Sequence, residues 1–309
     1  MTADFTASKA ASAVTPTVDG LRLVDRAAMA ATLDQRERQT PRLAPAELAR
    51  AEAMSSGDDA RLWRAGRIAL RHILERAAQQ LFGTAGAKRL RCRPFTLTAH
   101  GEPYWPDVPF VFSQSDAGPY LLIGVSSHGR IGVDIEQPRP FAMSPARQAR
   151  VITAARQLAL VGRVEGFSPE TRQTPAIGAV GSREKLYPTY GISADQPSEP
   201  TDAPLSLLQA WTRIEAFAKA RGPSLARVLT ELGLIGVGDR AAKPDCSKVI
   251  IDSGLYVSDL ALPFNLTGAV AWPTGRPVPP LRLFQPTSGA LEIDDGAGVG
   301  EAWQRQVDK

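Results

Sequence analysis

The chain has 309 residues, 43% of them apolar and 22% charged, with a formal net charge of +4 and a pI near 9.2. That is enough chain for one large domain or two modest ones, and the mild basic excess favours anionic partners without choosing among nucleotides, acidic proteins and nucleic acid. Two distant cysteines, Cys92 and Cys246, exclude a disulfide framework or a structural zinc site; the start lacks a leader pattern and no apolar run reaches spanning length, so a cytoplasmic protein with no membrane partner is expected.

Residues 1–20 are small and polar, and the segment 1–42 is expected to be flexible. Helical spacing follows from Leu43 to about Leu81, where Leu62, Ala65, Ala69, Ile73 and Leu74 form the apolar set with Arg61, Arg64, Arg67 and Arg71 alongside; Gly83 and Gly86 end the stretch. Residues 92–136 read as short strands, the last being Ile131–Glu136 after a turn at Ser127–Arg130. Pro138 and Pro140 break the chain, and 145–162 is helical again. Residues 171–204 are rich in Pro, Gly, Ser, Thr and Gln and read as a surface loop or insertion. A helix over Leu205–Ala220 and strands within 249–272 follow, and the Gly- and acid-rich stretch 286–309 reads as a loose tail. The order of elements predicts an α+β fold with two comparable halves, 43–138 and 139–285.

Two segments carry chemistry. In Gly132-Val133-Asp134-Ile135-Glu136, strand alternation turns Val133 and Ile135, with Ile131, to a core and sets Asp134 and Glu136 together on the other face, about 7 Å apart at Cα. Two such carboxylates can reach one divalent cation. In Trp211-Thr-Arg-Ile-Glu-Ala-Phe-Ala-Lys219, Glu215 and Lys219 are four apart on a helix and therefore neighbours. Taken singly, each segment has a plainer reading: a solvated acidic strand face, and a surface Glu–Lys pair. His72, His100 and His128 form no zinc pattern, and neither a Walker A loop, a dinucleotide glycine fingerprint nor a Gly-x-Ser-x-Gly elbow is present.

Together, G-V-D-I-E followed much later by W-T-x-x-E-A-x-x-K resembles the signature of the 4'-phosphopantetheinyl transferases, in their long, Sfp-like branch. The likeness runs from about Leu43 to Leu283 and includes the arginine-bearing helix Arg64–Arg71, His100-Gly-Glu-Pro-Tyr104, Phe110–Ser115, Phe167-Ser-Pro-Glu170 and Gly268-Ala-Val-Ala271. It implies two α+β halves related by a pseudo-two-fold, with the active site in the cleft between them. It implies a Mg²⁺ held by Asp134, Glu136 and Glu215, and coenzyme A as co-substrate. The implied reaction is transfer of phosphopantetheine to a serine of an apo acyl or peptidyl carrier protein, releasing 3',5'-ADP. Glu215 would accept the serine proton, Lys219 would stabilise the departing phosphate, and Arg67, Arg71, Ser113 and Gln114 would bind the nucleotide. It further implies a monomer; no nucleic-acid partner is expected, since the sequence has neither a recognised motif nor an aromatic–basic stripe. Three positions depart from the family pattern: Ile214 and Glu102 stand where lysines are usual, and Gln114 where histidine is usual. They imply a weakened or rearranged grip on coenzyme A, with a paralogue that binds without efficient transfer as the alternative.

Overall fold

In the computed structural model, residues 18–165, 205–235 and 246–285 are described. The expected insertion at 171–204 and the tail at 286–309 lie outside the described residues, as do residues 1–17 of the expected flexible segment. No described helix is long and apolar enough to cross a membrane.

Two sheets organise the chain. The first has strand order β4-β5-β1-β9, built from β1 (Gly20–Asp25), β4 (Val111–Ala117), β5 (Tyr120–Ser126) and β9 (Leu281–Leu283). Its helices are α1 (Arg26–Gln39), α2 (Pro45–Glu52) and α3 (Gly57–Lys88), and a two-stranded ribbon, β2 (Thr96–Leu97) and β3 (Pro103–Tyr104), lies apart from it. The second sheet has order β6-β8-β7, from β6 (Gly132–Glu136), β7 (Leu255–Leu260) and β8 (Thr267–Pro273). It carries α4 (Pro145–Glu165), α5 (Leu207–Arg221), α6 (Leu225–Glu231) and α7 (Cys246–Ser253). The fold is therefore mixed α+β, as the element order predicts.

Side-chain alternation along the strands sorts the apolar residues into three cores. Val24, Leu121, Ile123 and Val125 on the outer face of the first sheet pack against Ile68, Ala69 and Leu74 of α3. Leu21, Leu23 and Leu122 on its inner face meet Val133, Ile135, Val270 and Trp272 of the second sheet. The other face of the second sheet, with Ala269, Ala271 and Val257, is covered by Ala155 and Leu158 of α4 and Ile214 and Phe217 of α5. The order is helices, sheet, sheet, helices, with an apolar core between the two sheets.

Two expectations are corrected. The segment 1–42 is not flexible over its described part: residues 20–25 form an interior strand of the first sheet, paired antiparallel with β5 and parallel with β9. Leu21 and Leu23 are buried on one face and Val24 on the other, so this short strand is covered on both sides. In α1, Arg26, Ala30, Leu33 and Glu37 are buried at helical spacing, and the Glu37 carboxylate accepts from the backbone N–H groups of Arg42 and Leu43 at 2.8 and 2.9 Å. The division of the chain at residue 138 also shifts. β6, placed by sequence in the first half, pairs with β8 in the second sheet, whereas β9, placed in the second half, pairs with β1 in the first. The long arginine-bearing helix does break at Gly83, whose φ of 70° is one that glycine adopts without cost, and it resumes to Lys88.

Candidate active site

The site forms where β4, the edge strand of one sheet, meets β6, the edge strand of the other, and α5 packs across β6. β6 presents Gly132, Asp134 and Glu136 towards α5, while Val133 and Ile135 enter the inter-sheet core as strand alternation requires. Gly132 sets the spacing. A Cβ there would stand 1.9 Å from the Ala216 carbonyl oxygen and 2.5 Å from the Ala220 nitrogen, so only glycine allows α5 to lie this close to β6. The helix begins in a capping box, in which Ser206 Oγ accepts from the Gln209 N–H at 3.2 Å and Gln209 Oε1 accepts from the Ser206 N–H at 3.0 Å. It ends at Gly222 in the left-handed region. Between these caps, Glu215 and Lys219 project one above the other towards Asp134.

Asp134 is 2% exposed. Its Oδ1 accepts from Lys219 Nζ at 2.8 Å and from Ser115 Oγ at 2.7 Å. Lys219 Nζ also donates to the Val133 carbonyl at 3.1 Å, which fixes the ammonium at the strand. Asp134 Oδ2 is buried without a hydrogen-bond donor. One carboxylate oxygen from each of Asp134, Glu136 and Glu215 lies within 4.8 Å of the others. An all-oxygen set of three carboxylates, with one oxygen of its buried member lacking a donor, could hold a hard metal ion.

Three carboxylates this close cannot all hold full charge cheaply. Burial, then the charge of Asp134, pushes Glu215 up to about 7; Lys219 opposes the shift, while a hydrogen bond to Asp134 and the charge of Glu136 add to it. A carboxyl at Glu215 that keeps its proton can donate to Asp134, which is the neutral-state substitute for a cation. The Glu136 Oε1 is paired with Arg139 Nη2 at 2.6 Å.

β4 supplies the opposite wall. Ser113 Oγ accepts from the Val133 N–H at 3.2 Å, and Ser115, two residues on and on the same strand face, holds Asp134. Hydroxyls therefore join the two sheets where a backbone ladder would otherwise continue. Gln114, between them, points to the other face of β4 together with Phe112, so Ser113 and Gln114 do not act side by side. Ser115, Gly132 and Arg139 escape sequence reasoning, although strand alternation from Ser113 was a usable signal for Ser115.

The two arginines expected at the nucleotide both meet Glu47 of α2. Arg71 is buried: its Nε donates to Glu47 at 2.7 Å, its Nη1 to the Arg93 carbonyl at 2.9 Å, and its guanidinium lies 4.6 Å from the centre of the Phe95 ring. Arg67 shares Glu47 at 3.8 Å and lies over Trp63, and burial lowers its pKa. Both link α3 to α2 through Glu47, and each keeps one buried guanidinium nitrogen, Arg67 Nη1 and Arg71 Nη2, without a hydrogen-bond partner. Of the three departures from the family pattern, Ile214 is fully buried in the core beneath α5 and takes no cation away from the triad. Glu102 lies within electrostatic reach of the site: burial raises its pKa, and His100 and the Lys219 ammonium oppose that rise. No family model matches this chain, and no curated protein matches it.

Proposed function

We propose that the chain is a Mg²⁺-dependent 4'-phosphopantetheinyl transferase acting from coenzyme A to a serine of an apo carrier protein. The observation that carries this reading is the convergence of Asp134 and Glu136 with Glu215, 79 positions further along (215 − 136), on one donor set with a buried aspartate beside Lys219. The layered pair of units, each a sheet backed by helices with the triad at their seam, supports the expected pseudo-two-fold arrangement and a cleft site.

Asp134, Glu136 and Glu215 would hold Mg²⁺, which when bound neutralises charge on the pyrophosphate. Lys219, already anchored by the Val133 carbonyl, is placed to stabilise the oxygen on which negative charge develops as the phosphoanhydride breaks. Glu215, held as a carboxylate when the cation is bound, would accept the serine proton directly or through a water. Ser115 keeps the Asp134 carboxylate turned to the site. The test is intact mass after incubation with coenzyme A, Mg²⁺ and a panel of apo carriers. A phosphopantetheine gain on at least one carrier that vanishes in Glu215→Gln supports the reading. No gain on any carrier, beside a control enzyme that modifies them, sinks it. Glu102 near Lys219 favours one second reading, a protein that holds coenzyme A without efficient transfer. Tight coenzyme A binding with no transfer, unaltered by Glu215→Gln, is its signature.

A further inference from the structure

We propose that Arg139 is an exchangeable counter-ion of the site: it neutralises Glu136 until a divalent cation takes that carboxylate, and it then pairs with a phosphate oxygen of the ligand the cation brings. The inference rests on the triad being a cation site, as argued above.

Among the described residues, two side-chain cations pair with the triad, and they are held differently. Lys219 has a second anchor in the Val133 carbonyl, so its ammonium belongs to the strand as much as to Asp134. Arg139 meets Glu136 through one ion pair of 2.6 Å, with the arginine side chain 52% exposed and the glutamate 19%. An exposed pair three residues apart is weak. A divalent ion drawn by three carboxylates competes with Arg139 for the Glu136 carboxylate.

The guanidinium released in this way does not simply enter solvent. It already lies over the Phe141 ring, 5.0 Å from its centre, and Phe141 packs at 6.2 Å against Trp211, one helical turn before Glu215 on α5. Pro138 and Pro140 flank Arg139 and restrict the backbone on both sides. A weakly hydrated, planar fork stacked on an aromatic face at the rim of a cation site is suited to bidentate pairing with phosphate. Arg139 therefore opposes the bare cation and assists the cation–phosphate complex. A rim ion pair with only a structural role does neither.

The opposite signs make the test. Arg139→Ala and Arg139→Gln are compared with the unaltered chain in Mn²⁺ titrations, first with the metal alone and then with inorganic pyrophosphate at saturating metal. Bare Mn²⁺ should bind about twofold to fivefold tighter in both variants, the scale of an exposed ion pair. Pyrophosphate should bind about tenfold more weakly, the scale of a charge-assisted contact. Phe141→Leu, which leaves the ion pair intact, should leave Mn²⁺ binding unchanged and weaken pyrophosphate severalfold. Equal or weaker Mn²⁺ binding in the Arg139 variants, or unchanged pyrophosphate binding, overturns the proposal. Neither titration uses coenzyme A or a carrier protein, so failure here and failure of the transferase reading are separate results.

Discussion

Asp134 has one oxygen bound by two donors and the other with no donor unless the Glu215 carboxyl is protonated. A buried acceptor without a donor is costly, by about 1–3 kcal/mol, and it persists where the surrounding structure holds it for a purpose. Ser115 is the group that decides which oxygen is committed. Ser115→Ala should therefore weaken Mn²⁺ binding about tenfold, as loss of a ligand-orienting partner does, with little change in the urea midpoint; a metal titration beside an unfolding curve separates the two. Glu215 gives the pH dependence. Its folded pKa, about 7, lies above the ordinary 4.5, so the folded chain binds the extra proton between those values. Stability accordingly falls as pH rises from about 4.5 to 7, and a divalent cation restores it at the upper end, where the carboxylate is free. Thermal unfolding should show a larger Mg²⁺-induced rise in Tm at pH 8 than at pH 5.5, and Glu215→Gln should flatten the metal-free profile. Arg71 tests a different role. Removing it leaves Glu47 half-satisfied in the α2–α3 packing, so Arg71→Ala should cost about 3–5 kcal/mol of stability. A nucleotide-binding arginine would instead leave stability intact and raise the Kd for coenzyme A.

At the scale of elements, the site is a distance between one strand and one helix. Gly132 sets it, because any β-carbon would enter the backbone of α5 at Ala216. Gly132→Ala should destabilise the protein by about 1–3 kcal/mol through overpacking, and should also weaken Mn²⁺ binding as Glu215 moves away from Asp134. Equilibrium urea unfolding and metal titration on the same sample check both. Loss of stability alone would mean that α5 tilts about the glutamate instead of shifting with it. β4 contributes less by its backbone than by two hydroxyls on one face, since Ser113 ties down Val133 and Ser115 ties down Asp134.

For the whole molecule, the crossing of strands is the governing feature. β9 leaves the second unit to lie parallel to β1 at the edge of the first sheet, where Phe284 donates its N–H to the Leu23 carbonyl at 2.8 Å and buries its ring in the first helical core. β6 makes the reciprocal exchange through β8. Each unit thus depends on a strand from the other's stretch of chain. Phe284→Ala should cost about 3–5 kcal/mol, the range for truncating a buried aromatic. Because the units share strands and a core, unfolding followed by fluorescence and by circular dichroism should lose both in one transition; two separated transitions would show the units to be independent.

Much of the chemistry is legible in the amino-acid order, because it depends on short-range periodicity. Strand alternation places Asp134 and Glu136 on one face, and the four-residue step places Glu215 beside Lys219, whatever the rest of the chain does. The mixed α+β class and the break at Gly83 follow from the same local rules. Other features belong to the tertiary structure. A short strand such as β1, with an arginine within it and a polar stretch before it, gains its stability from being covered on both faces, and no local pattern announces that cover. Whether an arginine on a helix faces a ligand or a buried glutamate depends on what packs against it; Arg71 met Glu47, and Ile214 met a core. The approach of α5 to β6 likewise rests on an atom that Gly132 lacks. The sequence alone determined which side chains could act together, since spacing along a regular element is a local property. Only the tertiary structure decided which of them meet, because meeting depends on packing between segments far apart in the chain.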